Sequence, residues 1–127
     1  MTSRAIGFFL LVLLTLPAVA GAVSEKDFVA RTTRDLTNLC LAAPDDPLHV
    51  QAVNFCEGYL VGAFHYYQAS ASGPKGTKLV CLPDPQPSRD AAFKMFIDWV
   101  KAHPQYEEEM PVETEFRFLM ETWPCKP

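Results

Sequence analysis

The chain has 127 residues, 49% of them hydrophobic, and fifteen acidic against eleven basic side chains give it a formal net charge of −4. This acidic balance argues against nucleic acid or an anionic membrane surface as partner, since both are recognised through clustered Lys and Arg. The length suits one domain with one modest core.

Arg4 supplies a positive start, Ala5 to Leu16 is an apolar run, and Ala18-Val19-Ala20 or Ala20-Gly21-Ala22 offers small residues for cleavage. The run is too short for a comfortable membrane span, and polar sequence follows at once. Residues 1–22 therefore read as a cleaved signal peptide and 23–127 as a single exported domain, placed in the periplasm. That mature chain carries ten basic and fifteen acidic residues, a net charge of −5.

The first helix is expected to begin at Ser24 as N-cap, with Glu25 and Asp27 in its first turn. Phe28, Thr32, Leu36, Leu39 and Cys40 then share one buried face. Ala43-Pro44-Asp45-Asp46-Pro47 ends it and starts the next, with Asp46 as cap and Pro47 at the first helical position. The second helix, Pro47 to Ala71, is apolar on two faces, with a narrow polar strip through Asn54, Glu57, His65 and Gln68. Such a helix is central or lies at an oligomer interface. Gly58 and Gly62, four apart, are the expected point of a close helix crossing.

Ser72-Gly73-Pro74-Lys75-Gly76 breaks that helix, and Cys81 to Pro87 holds three prolines in a stiff connector. Ser88 caps the third helix, which turns Ala92, Phe93, Phe96, Ile97 and Val100 inward and ends at His103-Pro104. His103 is placed to bond the last carbonyls of that helix. Pro111 opens the fourth helix, with Val112, Phe116, Leu119 and Trp123 on its buried face. No segment alternates as a strand does, so the fold class is all-α, a small four-helix bundle.

Cys40, Cys56, Cys81 and Cys125 make an even count in a small exported domain, which reads as a disulfide framework. Three connectivities are possible. An antiparallel hairpin of the first two helices favours Cys40–Cys56, leaving Cys81–Cys125 to pin the connector to the C-terminus. With every thiol paired, no cysteine nucleophile remains. His49, His65 and His103 lack the clustered spacing of a zinc site, and no phosphate loop or nucleophile motif occurs, so neither an enzyme nor a cofactor is expected. Glu107-Glu108-Glu109 beside Tyr106 is the one local charge run. Its bland reading is a solvated approach to the positive end of the fourth helix. Its functional reading is an acidic loop with an aromatic anchor that docks a partner.

Cys56-Glu57-Gly58-Tyr59-Leu60-Val61-Gly62, Val80-Cys81-Leu82-Pro83, His103-Pro104 and Trp123-Pro124-Cys125, in this order, resemble the Rap/Tai immunity family. The resemblance spans about Leu36 to Cys125. It implies a small helical periplasmic protein, a homodimer, and inhibition of a peptidoglycan amidase effector of type VI secretion by covering its active-site cleft. The chain differs from that pattern in its proline-rich connector and in bulky Phe116, Phe118 and Met120 on the last helix. A periplasmic acid-stress chaperone and a structural subunit of an envelope complex are the other readings of an exported helical domain.

Overall fold

The computed structural model describes residues 21–126, so the expected leader lies almost wholly outside the described residues. Four helices carry the fold: α1 Thr33–Cys40, α2 His49–Ala71, α3 Arg89–Ala102 and α4 Pro111–Thr122. Among the described residues the only strand-like pairing is an antiparallel bridge between Val80 and Pro124. The all-α expectation therefore holds.

The first helix starts later than Ser24. Residues 24–26 lead into a short 3-10 turn, Asp27–Val29, and Ala30 then takes a left-handed conformation with φ 47° that breaks the helical path. Thr32 is the true N-cap: its side chain accepts from Asp35 N, and the Asp35 carboxylate accepts from Thr32 N in return. Two of the four free N–H groups at a helix start are thereby satisfied by a capping box. Ser24 does not cap; its N–H and hydroxyl donate to Asp27 at 2.8 and 2.9 Å. Burial raises the Asp27 pKa, but the bonds from Ser24 and Asn38 outweigh it and leave the group below its ordinary value.

The second helix also begins two residues later than expected, at His49 instead of Pro47. Asp46 forms the turn before it, accepting from Leu48 N at 2.8 Å through Oδ1 and from His49 N at 2.9 Å through its carbonyl. The last two helices start where expected, with Ser88 Oγ accepting from Ala91 N at 3.2 Å and Pro111 in the first turn of α4. His103 closes α3 by pairing Nδ1 with the Trp99 carbonyl at 2.7 Å.

Leu36, Leu39, Ala52, Cys56, Leu60, Phe96, Val100, Phe118 and Leu119 form the core. The element that organises it is α4, which packs against α1, α2 and α3, whereas α2 packs chiefly on α1 and α4. Gly58 and Gly62 are exposed, and among the described residues no atom beyond the adjoining helix backbone lies within 4 Å of where a Cβ would sit at either. Among the described residues, therefore, no other element makes the expected close crossing at these glycines. The physical reason is that α2 buries a single i, i+4 stripe, Ala52, Cys56 and Leu60, on the side away from the glycines.

Both disulfides pair as expected. Cys40–Cys56 joins α1 to α2 with Cα atoms 5.2 Å apart, and Cys81–Cys125 joins the connector to the C-terminus at 4.8 Å. The Cys81–Cys125 end is reinforced by Cys81 N donating to the Trp123 carbonyl at 2.9 Å. Tyr67 on α2 completes it, its hydroxyl oxygen accepting from Leu79 N at 2.7 Å and Val80 N at 2.8 Å. These bonds satisfy backbone donors that no sheet partner reaches.

Candidate functional site

Three surfaces carry chemistry that the core does not require. One is the segment from Tyr106 to Glu109, between α3 and α4. It is firmly held. Glu107 and Glu109 offer their carbonyl oxygens to Arg34 N at 2.9 Å and Thr33 N at 2.7 Å, which satisfies donors in the first turn of α1. Thr33 Oγ1 donates to Thr114 Oγ1 at 2.7 Å in a fully buried contact, so two hydroxyls lock α1, α4 and this segment together.

The side chains of the segment are equally engaged. Tyr106 stacks on Trp99 with centroids 5.6 Å apart and planes 2° off parallel, while the Arg117 guanidinium lies 4.9 Å from the Tyr106 ring centre. Arg34 pairs with Glu107 and Glu108, each at 2.8 Å, and Arg117 pairs with Glu109 at 2.9 Å. Three carboxylates thus face two guanidinium groups. The segment approaches α1 rather than acting mainly on the positive end of α4. It forms a rigid ridge whose outward-facing groups are Pro104, Gln105, Glu108 and Met110.

The second surface is a pocket of about 220 Å³ between α2, α3, α4 and the connector. Its walls include Leu60, Phe64, Phe93, Phe96 and Phe118, with His65 and Arg89 also lining it. Glu115 lies in this apolar setting, 3% exposed, and its Oε2 has no hydrogen-bond partner. Burial pushes its pKa up to about 8, so it is held largely as the neutral acid at pH 7. Sequence reasoning missed Glu115 because it placed the buried stripe of α4 on Val112, Phe116, Leu119 and Trp123. The fully buried positions are Pro111, Thr114, Glu115, Phe118 and Leu119, and Val112, Phe116 and Trp123 are only half-buried. The signal was present: position 115 lies four residues from both Pro111 and Leu119, on one helical face.

The third surface is the outer side of α2. Val50 is 65% and Tyr66 77% exposed, with Gly58 and Gly62 between them. His49 and His103 are spent on the carbonyls of Ala42 and Trp99. Among the described residues no three His, Cys, Asp or Glu side chains cluster to hold a metal ion, and no helix is long and apolar enough to cross a membrane.

No curated protein and no solved structure matches the chain at a significant level. A family model described as Rap1a immunity proteins matches residues 32–125, from the N-cap of α1 to the second cysteine of the terminal disulfide. That stretch contains all four helices and both disulfides, and the chain belongs to the Rap1a immunity protein family.

Proposed function

We propose that the mature chain works in the periplasm, where it binds and blocks a peptidoglycan amidase effector of the kind delivered by type VI secretion, without catalysis of its own. The observation that carries this reading is the family match across residues 32–125. Membership implies a protein effector as partner. Paired cysteines with no free thiol fit an oxidising compartment, where such a disulfide framework persists.

The ridge at Tyr106 to Glu109 is the proposed contact surface. Its backbone is already ordered by α1 and α4, so little conformational entropy remains to be lost on docking. Glu108 has the most exposed side chain of the three carboxylates, at 72%. Charge at that position accelerates encounter more than it deepens affinity. A homodimer through the outer side of α2 is part of the same proposal: Gly58 and Gly62 leave room for a second helix to approach closely.

The trial is direct. Purified, disulfide-bonded protein is mixed with amidase effectors encoded beside it or with a panel of type VI amidases, and muropeptide cleavage is followed. Inhibition at stoichiometric amounts is expected. Full cleavage at micromolar excess across the panel would remove the amidase as target. Glu108→Ala should slow association several-fold while leaving thermal stability within about 0.5 kcal/mol, because an exposed pair contributes little. Unchanged association would return the ridge to a purely structural role.

A further inference from the structure

The described chain changes character between Ala22 and Val23. Gly21 and Ala22 are exposed, and among the described residues no atom beyond its chain neighbours lies within 4 Å of where a Cβ at Gly21 would sit. Val23 is buried, part of the main apolar cluster, and its backbone nitrogen donates to Asp46 Oδ2 at 2.9 Å. From Ser24 onward the backbone and hydroxyl bonds to Asp27 continue the anchoring.

Asp46 is half-buried in the turn before α2. Its Oδ1 is occupied by Leu48 N, and Oδ2 is aimed at the Val23 nitrogen. Four ion pairs form among the described residues, and Asp46 is in none of them. Two small-residue motifs compete for cleavage, Ala18-Val19-Ala20 and Ala20-Gly21-Ala22. They differ in what they leave facing Asp46. Cleavage after Ala20 keeps a neutral amide N–H at Val23. Cleavage after Ala22 turns that same nitrogen into an ammonium group, in hydrogen-bond reach of the carboxylate.

We propose that the chain is processed at the Ala22–Val23 bond and that the new α-ammonium group of Val23 forms an ion pair with Asp46 that completes the fold. The step is hydrolysis: water adds across the peptide bond, leaving a carboxylate on Ala22 and an amine on Val23 that takes up a proton. The inference rests on the export reading above and adds a consequence to it. The precursor, still carrying residues 1–22, has only a neutral donor at this point. The charged contact between the start of the chain and the turn before α2 arises only after export, in the compartment where both disulfides also form. A charge-assisted bond is stronger than its neutral counterpart, so maturation and final stability become linked.

The first test is intact mass and N-terminal sequencing of the full chain, leader included, after secretion into a bacterial periplasm. A chain beginning at Val23 supports the proposal. A chain beginning at Gly21 overturns it while leaving export intact, and a chain retaining Met1 overturns the export reading as well. The second test compares refolded, oxidised proteins that begin at Val23 and at Gly21, each with and without Asp46→Asn. Asparagine keeps an oxygen for Leu48 N but removes the charge. The Val23 form should melt higher by roughly 3–6 °C, and Asp46→Asn should abolish that difference. Equal melting temperatures for the two starts, or a difference that survives Asp46→Asn, would refute the ion pair.

Discussion

Glu115 sets the alkaline side of this protein's stability. In the unfolded chain it titrates near its ordinary value of 4.5, and in the fold near 8. Between those values the unfolded state loses the proton and the folded state keeps it, so stability falls as pH rises through that window. A shift of this size corresponds to about 3–5 kcal/mol. Glu115→Gln removes the titration and keeps the shape of the side chain. Its urea midpoint should exceed that of the parent at pH 8 and converge with it near pH 4.5. A parent whose midpoint is flat between pH 5 and 8 would mean that Glu115 is solvated. Asp27 works in the opposite sense. Its folded pKa lies below the ordinary value, so its contribution is present above that value and disappears as acid protonates it. Tyr67 makes a separate kind of contribution, since its hydroxyl oxygen alone receives both Leu79 N and Val80 N. Tyr67→Phe leaves Leu79 N to water but strands the donor of buried Val80, and should cost about 1–3 kcal/mol, read from the denaturation midpoint.

At the scale of elements, the outer side of α2 makes a prediction with a sign. Glycine inside a helix is less favourable than alanine by about 0.5–1 kcal/mol. Since, among the described residues, no atom beyond the adjoining helix backbone stands within 4 Å of a Cβ at Gly58 or Gly62, Gly58→Ala and Gly62→Ala should each stabilise the isolated subunit by about that amount. If a second copy crosses at these glycines, the same variants raise the dimer dissociation constant, and light scattering separates the two effects. A destabilised monomer would show that α2 is covered within the chain after all. The glycines illustrate where reading the sequence reaches its limit. Spacing four apart marks a place where a backbone can approach, but not whether one does; that depends on which stripe of α2 faces α1 and α4. Helix existence was legible because apolar spacing and proline breaks mark it directly, and Ser88 and Pro111 marked two starts correctly. The start of α1 was misplaced because Ser24 and Thr32 both carry cap chemistry, and the reciprocal Thr32–Asp35 pair decides between them. The cysteine pairing was legible because a short hairpin brings Cys40 to Cys56 and leaves one partner for Cys81. The site was less so. Tyr106 to Glu109 stood out as a charge run, yet its anchoring by Thr33, Arg34 and Arg117 depends on contacts 8 to 76 residues apart in sequence. Glu115 was hidden by the general rule that glutamate stays in water.

At the scale of the whole molecule, the two disulfides divide the labour. Cys40–Cys56 closes a span of 16 residues and is partly in the core, with Cys56 only 3% exposed. Cys81–Cys125 closes 44 residues and holds the connector over the pocket, where Leu82, Gln86 and Pro87 contribute to the lining. Chain entropy assigns about 3 kcal/mol to the shorter loop and about 4 to the longer. The difference between them is small, so the distinguishing measurement is local. Replacing Cys81 and Cys125 together by alanine should lower the denaturation midpoint and also release residues 81–87 to limited proteolysis. Most of the helical signal should persist, because α1, α2 and α4 keep their own contacts and the Thr33–Thr114 hydroxyl pair. Replacing Cys40 and Cys56 should lower stability through the core and leave the connector protected, since the Tyr67 bonds and the Val80–Pro124 bridge remain. If both double variants expose residues 81–87 equally, the connector is held by global stability alone, and the local role given to Cys81–Cys125 is wrong.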